Sequence, residues 1–327
     1  MISGRRGNDA LLQLLSLGRW FKRRVLRRAW MADSFAHPAV QGRLLSDRVR
    51  CNAFREAIQR TVTPGDTVVD LGAGTGLLSF FALEAGARHV YAIEVSRISD
   101  TARELTEANG FQERITLIPE ISTKVRLPEL CDVLISETLS TFCFETENII
   151  EYMADARIRF LKPDARIIPQ SAETFLVPFS SEAIGLGSFP EPFYGFKFQA
   201  FRERLFAESF LLRASGENLL QLAAPMPIHK IDFRRDSAVP RKTFVPFRIT
   251  KDGRLDGFLG WFEAALCPGV TITNSPNLPL TNWWQVYFPV LEQPIVRDGQ
   301  SIVFELEPKM IAGQIEWSYG VRHLGMS

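Results

Sequence analysis

The segment Val68-Val-Asp-Leu-Gly-Ala-Gly-Thr-Gly-Leu-Leu78 constrains this chain more than any other. Apolar, β-branched residues run into three alternating glycines, and a helical pattern follows. Strand, glycine-rich turn and helix in that order make a ligand cradle, because glycine permits left-handed backbone angles and close approach to the main chain. A pyrophosphate turn is spaced GxGxxG. This one is spaced GxGxG, and Asp70 ends the strand just before it. A carboxylate at that point repels a pyrophosphate and attracts an ammonium group such as that of a methionine moiety. The next apolar run ends in Glu94, placed to accept hydrogen bonds from both hydroxyls of a ribose. A nucleotide-binding protein of another kind is the competing reading of the pair.

The surroundings suit a cradle in an open α/β sheet. Short strands are expected at Thr67–Leu71, His89–Ile93, Ile115–Ile118 and Asp132–Ser136, with helices at Leu77–Ala85 and Thr101–Asn109. Such alternation implies a parallel sheet covered on both faces. After about Pro169 the runs become β-rich: Thr174–Phe179, Lys242–Ile249, Phe258–Leu266, Gln285–Val290, Ser301–Glu307 and Gln314–Val321. They imply a sandwich or barrel, interrupted by an aromatic segment, Phe189–Phe210, that needs a surface to bury against.

A length of 327 residues suits two domains. The expected division is an N-terminal helical segment at 1–46, the nucleoside-binding sheet at 47–168, and a β-barrel-like domain at 169–327. The net charge of +1 provides no field that recruits nucleic acid. Four dispersed cysteines without a CxxC pair argue against a disulfide framework or zinc site, and none of the four histidines pairs at helical ligand spacing. No metal is expected. No apolar run reaches membrane-spanning length, and the apolar Leu11–Leu15 precedes the basic cluster instead of following it as in a signal peptide. A cytoplasmic protein is expected. Residues Asp9–Trp30 read as one helix with a basic second half, a solvated face or a contact for a membrane surface or an acidic partner.

From Asp33 to the C-terminus the chain resembles the protein arginine methyltransferase family. The resemblance rests on Asp33-Ser-Phe-Ala-His37, Leu44-Leu-Ser-Asp-Arg-Val-Arg50, the glycine segment, Ala85-Gly-Ala-Arg-His-Val-Tyr-Ala-Ile-Glu94, Ser96–Asp100 and Ile135-Ser-Glu-Thr138. It continues through Leu161-Lys-Pro-Asp164, Thr273-Asn-Ser-Pro276 and Thr281-Asn-Trp-Trp-Gln285. It implies a Rossmann-like methyltransferase domain, a β-barrel-like domain, and a dimerisation arm inserted at about 182–210, hence a homodimer. It also implies S-adenosyl-L-methionine as cofactor, held by Arg50, Asp70, Gly72, Ala73, Gly74, Gly76 and Glu94. The family's adenine-contacting carboxylate falls near Ser122-Thr123, so Thr123 takes its place and Glu120 stands out of register.

The family's second hallmark is a loop with two glutamates around the substrate guanidinium. Glu137 matches the first directly. The second falls by strict count on Thr146; counting back from Pro163 favours Glu147 over Glu145. The usual aromatic and glycine residues after the first glutamate are replaced by Thr138, Leu139, Ser140 and Thr141, and Met31 stands in place of an aromatic. The usual Thr-His-Trp triplet reads Thr281-Asn282-Trp283, which makes Asn282 and Trp283 candidate substrate contacts. Paired carboxylates clamp a permanently charged, planar guanidinium and aim one nitrogen at a sulfonium methyl. The expected reaction is methyl transfer to an arginine nitrogen of a protein or peptide. Free arginine or another small guanidino or amino acceptor is the alternative; a catalytically weak, cofactor-binding interaction protein is a third reading.

Overall fold

The computed structural model describes residues 36–142, 148–238, 241–279, 281–311 and 314–324. The expected basic helix Asp9–Trp30, Met31, Glu145 and Glu147 lie outside the described residues.

Two helices, α1 (Pro38–Ser46) and α2 (Arg48–Thr61), precede a sheet of five parallel strands. The strands are β1 (Thr67–Leu71), β2 (His89–Ile93), β3 (Ile115–Ile118), β4 (Cys131–Ser136) and β5 (Leu161–Ile168), in the order β3-β2-β1-β4-β5. Between them run α3 (Leu77–Glu84), α4 (Ile98–Ala108) and α5 (Ile149–Phe160). All of β1 is buried, as a strand covered on both faces must be. The strand order reverses between β1 and β4, and a sheet of this kind opens its ligand crevice at the carboxyl ends beside that reversal. Helix α2 is set by its cap: the Asp47 carboxylate accepts from the Arg50 N–H at 3.0 Å. One face of α2 then buries Arg50, Phe54, Ala57, Ile58 and Thr61, at helical spacing.

The second half is antiparallel. It comprises β6 (Ser171–Ser180), helix α6 (Gln199–Leu205), β7 (Phe210–Leu212), β8 (Leu220–Gln221), β9 (Met226–Asp232), β10 (Thr243–Arg248), β11 (Gly253–Arg254) and β12 (Gly257–Cys267). Then come β13 (Val270–Thr273), β14 (Gln285–Pro289), β15 (Ile295–Val296), β16 (Ser301–Ile311) and β17 (Gln314–Leu324). The largest sheet runs β7-β14-β12-β6-β8, with β13 on β12 and β9 on β6; β10-β16-β17 form a second. Between them Leu176, Phe247, Phe258, Phe288 and Phe304 pack into an apolar core, giving a barrel-like body. The far end of β12 (Phe262, Ala264, Leu266) joins the other core, with Phe54 of α2 and the parallel strands.

The arm leaves after β6 and returns as β7, which pairs with β14. Phe189 stacks on Phe193 with centroids 4.5 Å apart and meets Phe198, Phe201 and Phe206 at wider angles. Tyr194, Phe196 and Phe201 remain 87%, 69% and 52% exposed. Among the described residues no helix is long and apolar enough to cross a membrane.

One sequence expectation needs correction. Helix α4 begins at Ile98, not Thr101, because burial of Ile98 draws that residue into the first turn. Strands β5, β7, β8, β9, β11, β13 and β15 were not anticipated. Strands β5 and β9 each contain a proline and pair on one side only, where a missing N–H costs no ladder bond.

Phe142 follows β4, yet its ring is fully buried in the barrel core, edge-on to Phe288 and Trp317. Phe142→Ala is expected to lower unfolding stability by about 3–5 kcal/mol, the usual cost of deleting a buried phenyl ring. A denaturant midpoint equal to that of the parent would contradict this placement.

Candidate active site

The crevice is built from three adjacent strand ends. At the end of β1, Gly72, Gly74 and Gly76 all take positive φ (71°, 56° and 86°). One of these positions also needs glycine for space: a Cβ on Gly72 would lie 2.7 Å from the Thr138 methyl, whereas one on Gly74 would meet only the end of the Gln41 side chain, at 3.3 Å. The turn is therefore packed between α1 and the loop after β4. That α1 covers the turn is invisible in the sequence pattern. The Gly72 and Ala73 N–H groups donate to the Ile93 carbonyl at 2.9 and 3.1 Å, tying the turn to β2.

Asp70 is fully buried. Its Oδ2 accepts from the Ser79 hydroxyl of α3 at 2.7 Å, and its Oδ1 has no hydrogen-bond partner. Burial, with added repulsion from Glu94 and Glu137, pushes its carboxyl up to about 7 against the Ser79 hydrogen bond. Glu94, 8% exposed, accepts from the Gly74 N–H at 2.9 Å and the Ser96 N–H at 2.8 Å. Its carboxylate is thus locked beside the glycine turn.

Glu137 leaves β4 and pairs with Arg50 of α2; the two side chains are 12% and 11% exposed. Arg50 also donates to the Leu44 carbonyl at 3.0 Å, and its Nε is buried without a partner. Burial raises the Glu137 carboxyl against the pull of Arg50, and Asp47 adds to the rise. For Arg50 burial works downward, but Glu137, Cys51 and Asp47 together outweigh it and the guanidinium is held more firmly protonated.

The barrel grips the loop that carries Glu137. The Trp283 indole N–H donates to the Leu139 carbonyl at 2.8 Å, and its ring meets Phe262 edge-on at 5.3 Å. The Asn274 amide donates to the Thr141 carbonyl at 2.8 Å. Asp47 accepts the Asn282 main-chain N–H at 2.6 Å, so one carboxylate both caps α2 and anchors the 281–285 segment. Asn282 thus reaches the site through its backbone, and Trp283 buttresses the loop. Sequence reasoning missed Asp47, Ser79 and Asn274; the Asp47-to-Arg50 capping spacing was the one available signal. Thr123 stands apart, exposed on a short turn after β3.

The arrangement brings Arg50, Asp70, the glycine turn, Glu94 and Glu137 to one sheet edge. Among its buried, unpartnered atoms are an acceptor on Asp70 and a donor on Arg50, a pair that matches the ammonium and carboxylate of an amino acid.

Fold and site together define a Rossmann-like parallel sheet joined to a barrel-like body. Residues 54–170 match the family model for ribosomal protein L11 methyltransferase (PrmA), and residues 196–322 match that for the PRMT5 oligomerisation domain. The chain is 33% identical over 295 residues to probable histone-arginine methyltransferase 1.3 of Arabidopsis thaliana, covering 81% of this chain and 53% of that protein. It is 29% identical over 289 residues to histone-arginine methyltransferase CARMER of Drosophila yakuba, covering 82% and 53%. It therefore spans about half the length of these relatives. The fold is shared with a chain of the Trypanosoma brucei PRMT1 enzyme–prozyme heterotetrameric complex with AdoHcy, at TM-score 0.79 and 22% identity over 89% of this chain and 95% of that one. It is also shared with Arabidopsis thaliana protein arginine methyltransferase 10, at TM-score 0.73 and 22% identity over 89% and 99%. Along most of its length the chain is thus similar to protein arginine methyltransferases.

Asp70 carries a pH signature. Its folded value of about 7 lies above the unfolded value of about 3.9. Its contribution to stability is therefore complete below about pH 4 and lost as pH rises through about 7. Asp70→Asn is expected to raise the melting temperature of the ligand-free protein by several degrees at pH 8 and far less at pH 5. An equal shift at both pH values in scanning calorimetry would refute the buried, unpaired carboxyl.

Proposed function

We propose that the chain is an S-adenosyl-L-methionine-dependent N-methyltransferase acting on an arginine guanidino nitrogen of a protein or peptide. One observation carries the reading. A buried acceptor on Asp70 and a buried donor on Arg50, both unpartnered, flank a carboxylate, Glu137, that holds a guanidinium, Arg50's own. When bound, the cofactor supplies an electrophilic sulfonium methyl.

In this reading Asp70 accepts the ammonium of the methionine moiety and Arg50 meets its carboxylate. Glu94, fixed by two main-chain N–H groups, keeps lone pairs for the ribose hydroxyls. Gly72, Ala73, Gly74 and Gly76 admit the ligand close to the backbone. Glu137 binds the acceptor guanidinium and holds positive charge on the far nitrogens, so the attacking nitrogen recovers its lone pair. We assign the second acidic position to Glu147. Thr138, seated on Gly72, and Ser140 line the acceptor side with smaller groups than the family's usual aromatic. The free thiols of Cys51, Cys131 and Cys267 support a reducing compartment, and we place the chain in the cytoplasm.

We further infer a homodimer built on the arm. The exposed Tyr194, Phe196 and Phe201 offer an apolar face, and the oligomerisation-domain match begins at residue 196.

Labelled S-adenosylmethionine, incubated with the protein and an arginine-rich peptide, is expected to yield methylarginine. Glu137→Gln is expected to reduce that transfer at least about 100-fold, as loss of an electrostatic catalytic group does. S-adenosylhomocysteine should still bind, because glutamine keeps the shape and frees Arg50. Turnover near the parent level in this variant would end the assignment. For assembly, sedimentation at micromolar concentration should give a dimer, and Phe196→Asp with Phe201→Asp should give a monomer; a parent chain that sediments as a monomer excludes the arm contact.

A further inference from the structure

The sheet edge runs in one direction, from the glycine turn at β1 to Glu94 at β2 and on to the turn after β3. The Glu94 N–H donates to the Ile118 carbonyl at 3.1 Å, so the ends of β2 and β3 are fastened together. A nucleoside with its amino-acid end at Asp70 and its sugar at Glu94 must lay its base toward Ser122–Lys124. This step rests on the cofactor reading above.

The nearby acid on that segment, Glu120, is turned to solvent, where it accepts from the Ile121 N–H at 2.8 Å and lies 3.8 Å from Lys124. Thr123 is exposed, whereas Ser122 is 9% exposed. The turn is held from outside by Arg159 of α5, which donates to the Val125 and Ser122 carbonyls, both at 2.7 Å. Asp155, one helical turn back, accepts from Arg159 Nε at 2.8 Å and also pairs with its terminal nitrogen. A planar guanidinium fork with one side on a carboxylate and the other on two carbonyls is a rigid brace.

We propose that the Asp155–Arg159 pair positions the base-contacting turn, and that the Ser122 hydroxyl, in place of a carboxylate, meets the adenine edge. Arg159 is a positioning residue: it acts through the turn and touches no ligand. A hydroxyl both donates and accepts, so it serves a heterocycle edge that presents an amino group beside a ring nitrogen.

The test compares two probes by titration calorimetry: S-adenosylhomocysteine, and S-ribosylhomocysteine, which lacks the base. In Arg159→Ala, affinity for the first is expected to fall about tenfold, the loss of one well-placed charge-assisted contact, while the second stays within about twofold. Arg159→Lys should recover part of the loss. Ser122→Ala, too small a change to disturb the fold, should reduce the preference for the base-bearing probe about threefold or more. If Arg159→Ala binds neither probe, the lysine and Ser122→Ala variants decide. An unchanged preference in both of them overturns the inference while leaving the cofactor reading intact. A parent protein that binds neither probe overturns the cofactor reading, and this inference with it.

Discussion

Three carboxylates buried at one edge of one sheet set the electrostatic problem that the rest of the site answers. Glu94 is compensated by two main-chain N–H groups, and Glu137 by Arg50. Asp70 has a hydroxyl on one oxygen and nothing on the other. Desolvating an ionised carboxylate costs several kcal/mol even after relaxation, so Asp70 resists ionisation at neutral pH. An edge of this kind favours cationic ligands over anionic ones. The ammonium and sulfonium of the proposed cofactor and the guanidinium of the proposed acceptor all carry the required sign. Pyrophosphate carries the opposite one, which agrees with the GxGxG spacing.

The parallel sheet is legible in the sequence because each central strand is a short run buried on both faces, closed by glycine or an acid at its carboxyl end. Asp70, Glu94 and Glu137 share that position, and their type and place suffice to nominate them. What is not legible is contact across long separations. Arg50 and Glu137 lie 87 residues apart, and nothing in either local pattern says that they pair. Asp47 and Asn282 lie 235 residues apart and meet through a backbone N–H, which no side-chain pattern encodes. Strands β5 and β9 are hidden because charged residues as well as a proline break the apolar run, whereas β6 and β10 keep theirs around Pro178 and Pro246. Asn282 stands where the Thr-His-Trp triplet has a histidine, and it reaches Asp47 through its main-chain N–H.

These long-range contacts explain why a barrel accompanies a sheet that already contains the nucleoside cradle. A loop at a sheet's carboxyl edge has few neighbours of its own and would sample many conformations. Here the loop after β4 is held at Leu139 by Trp283, at Thr141 by Asn274, and at Phe142 by the barrel core. The barrel therefore acts chiefly through carbonyl oxygens and a buried ring, and in doing so it sets the Glu137 carboxylate against Arg50. Asp47 extends the same coupling to the cofactor side. It caps the helix that carries Arg50 while holding the Asn282 backbone, so a displacement of the 281–285 segment would shift the Arg50 guanidinium as well. The proposed methyl transfer depends on holding two reactants in line to within a fraction of an ångström. A fold in which one carboxylate registers the barrel against the cofactor-side helix meets that demand with a contact absent from the sheet alone.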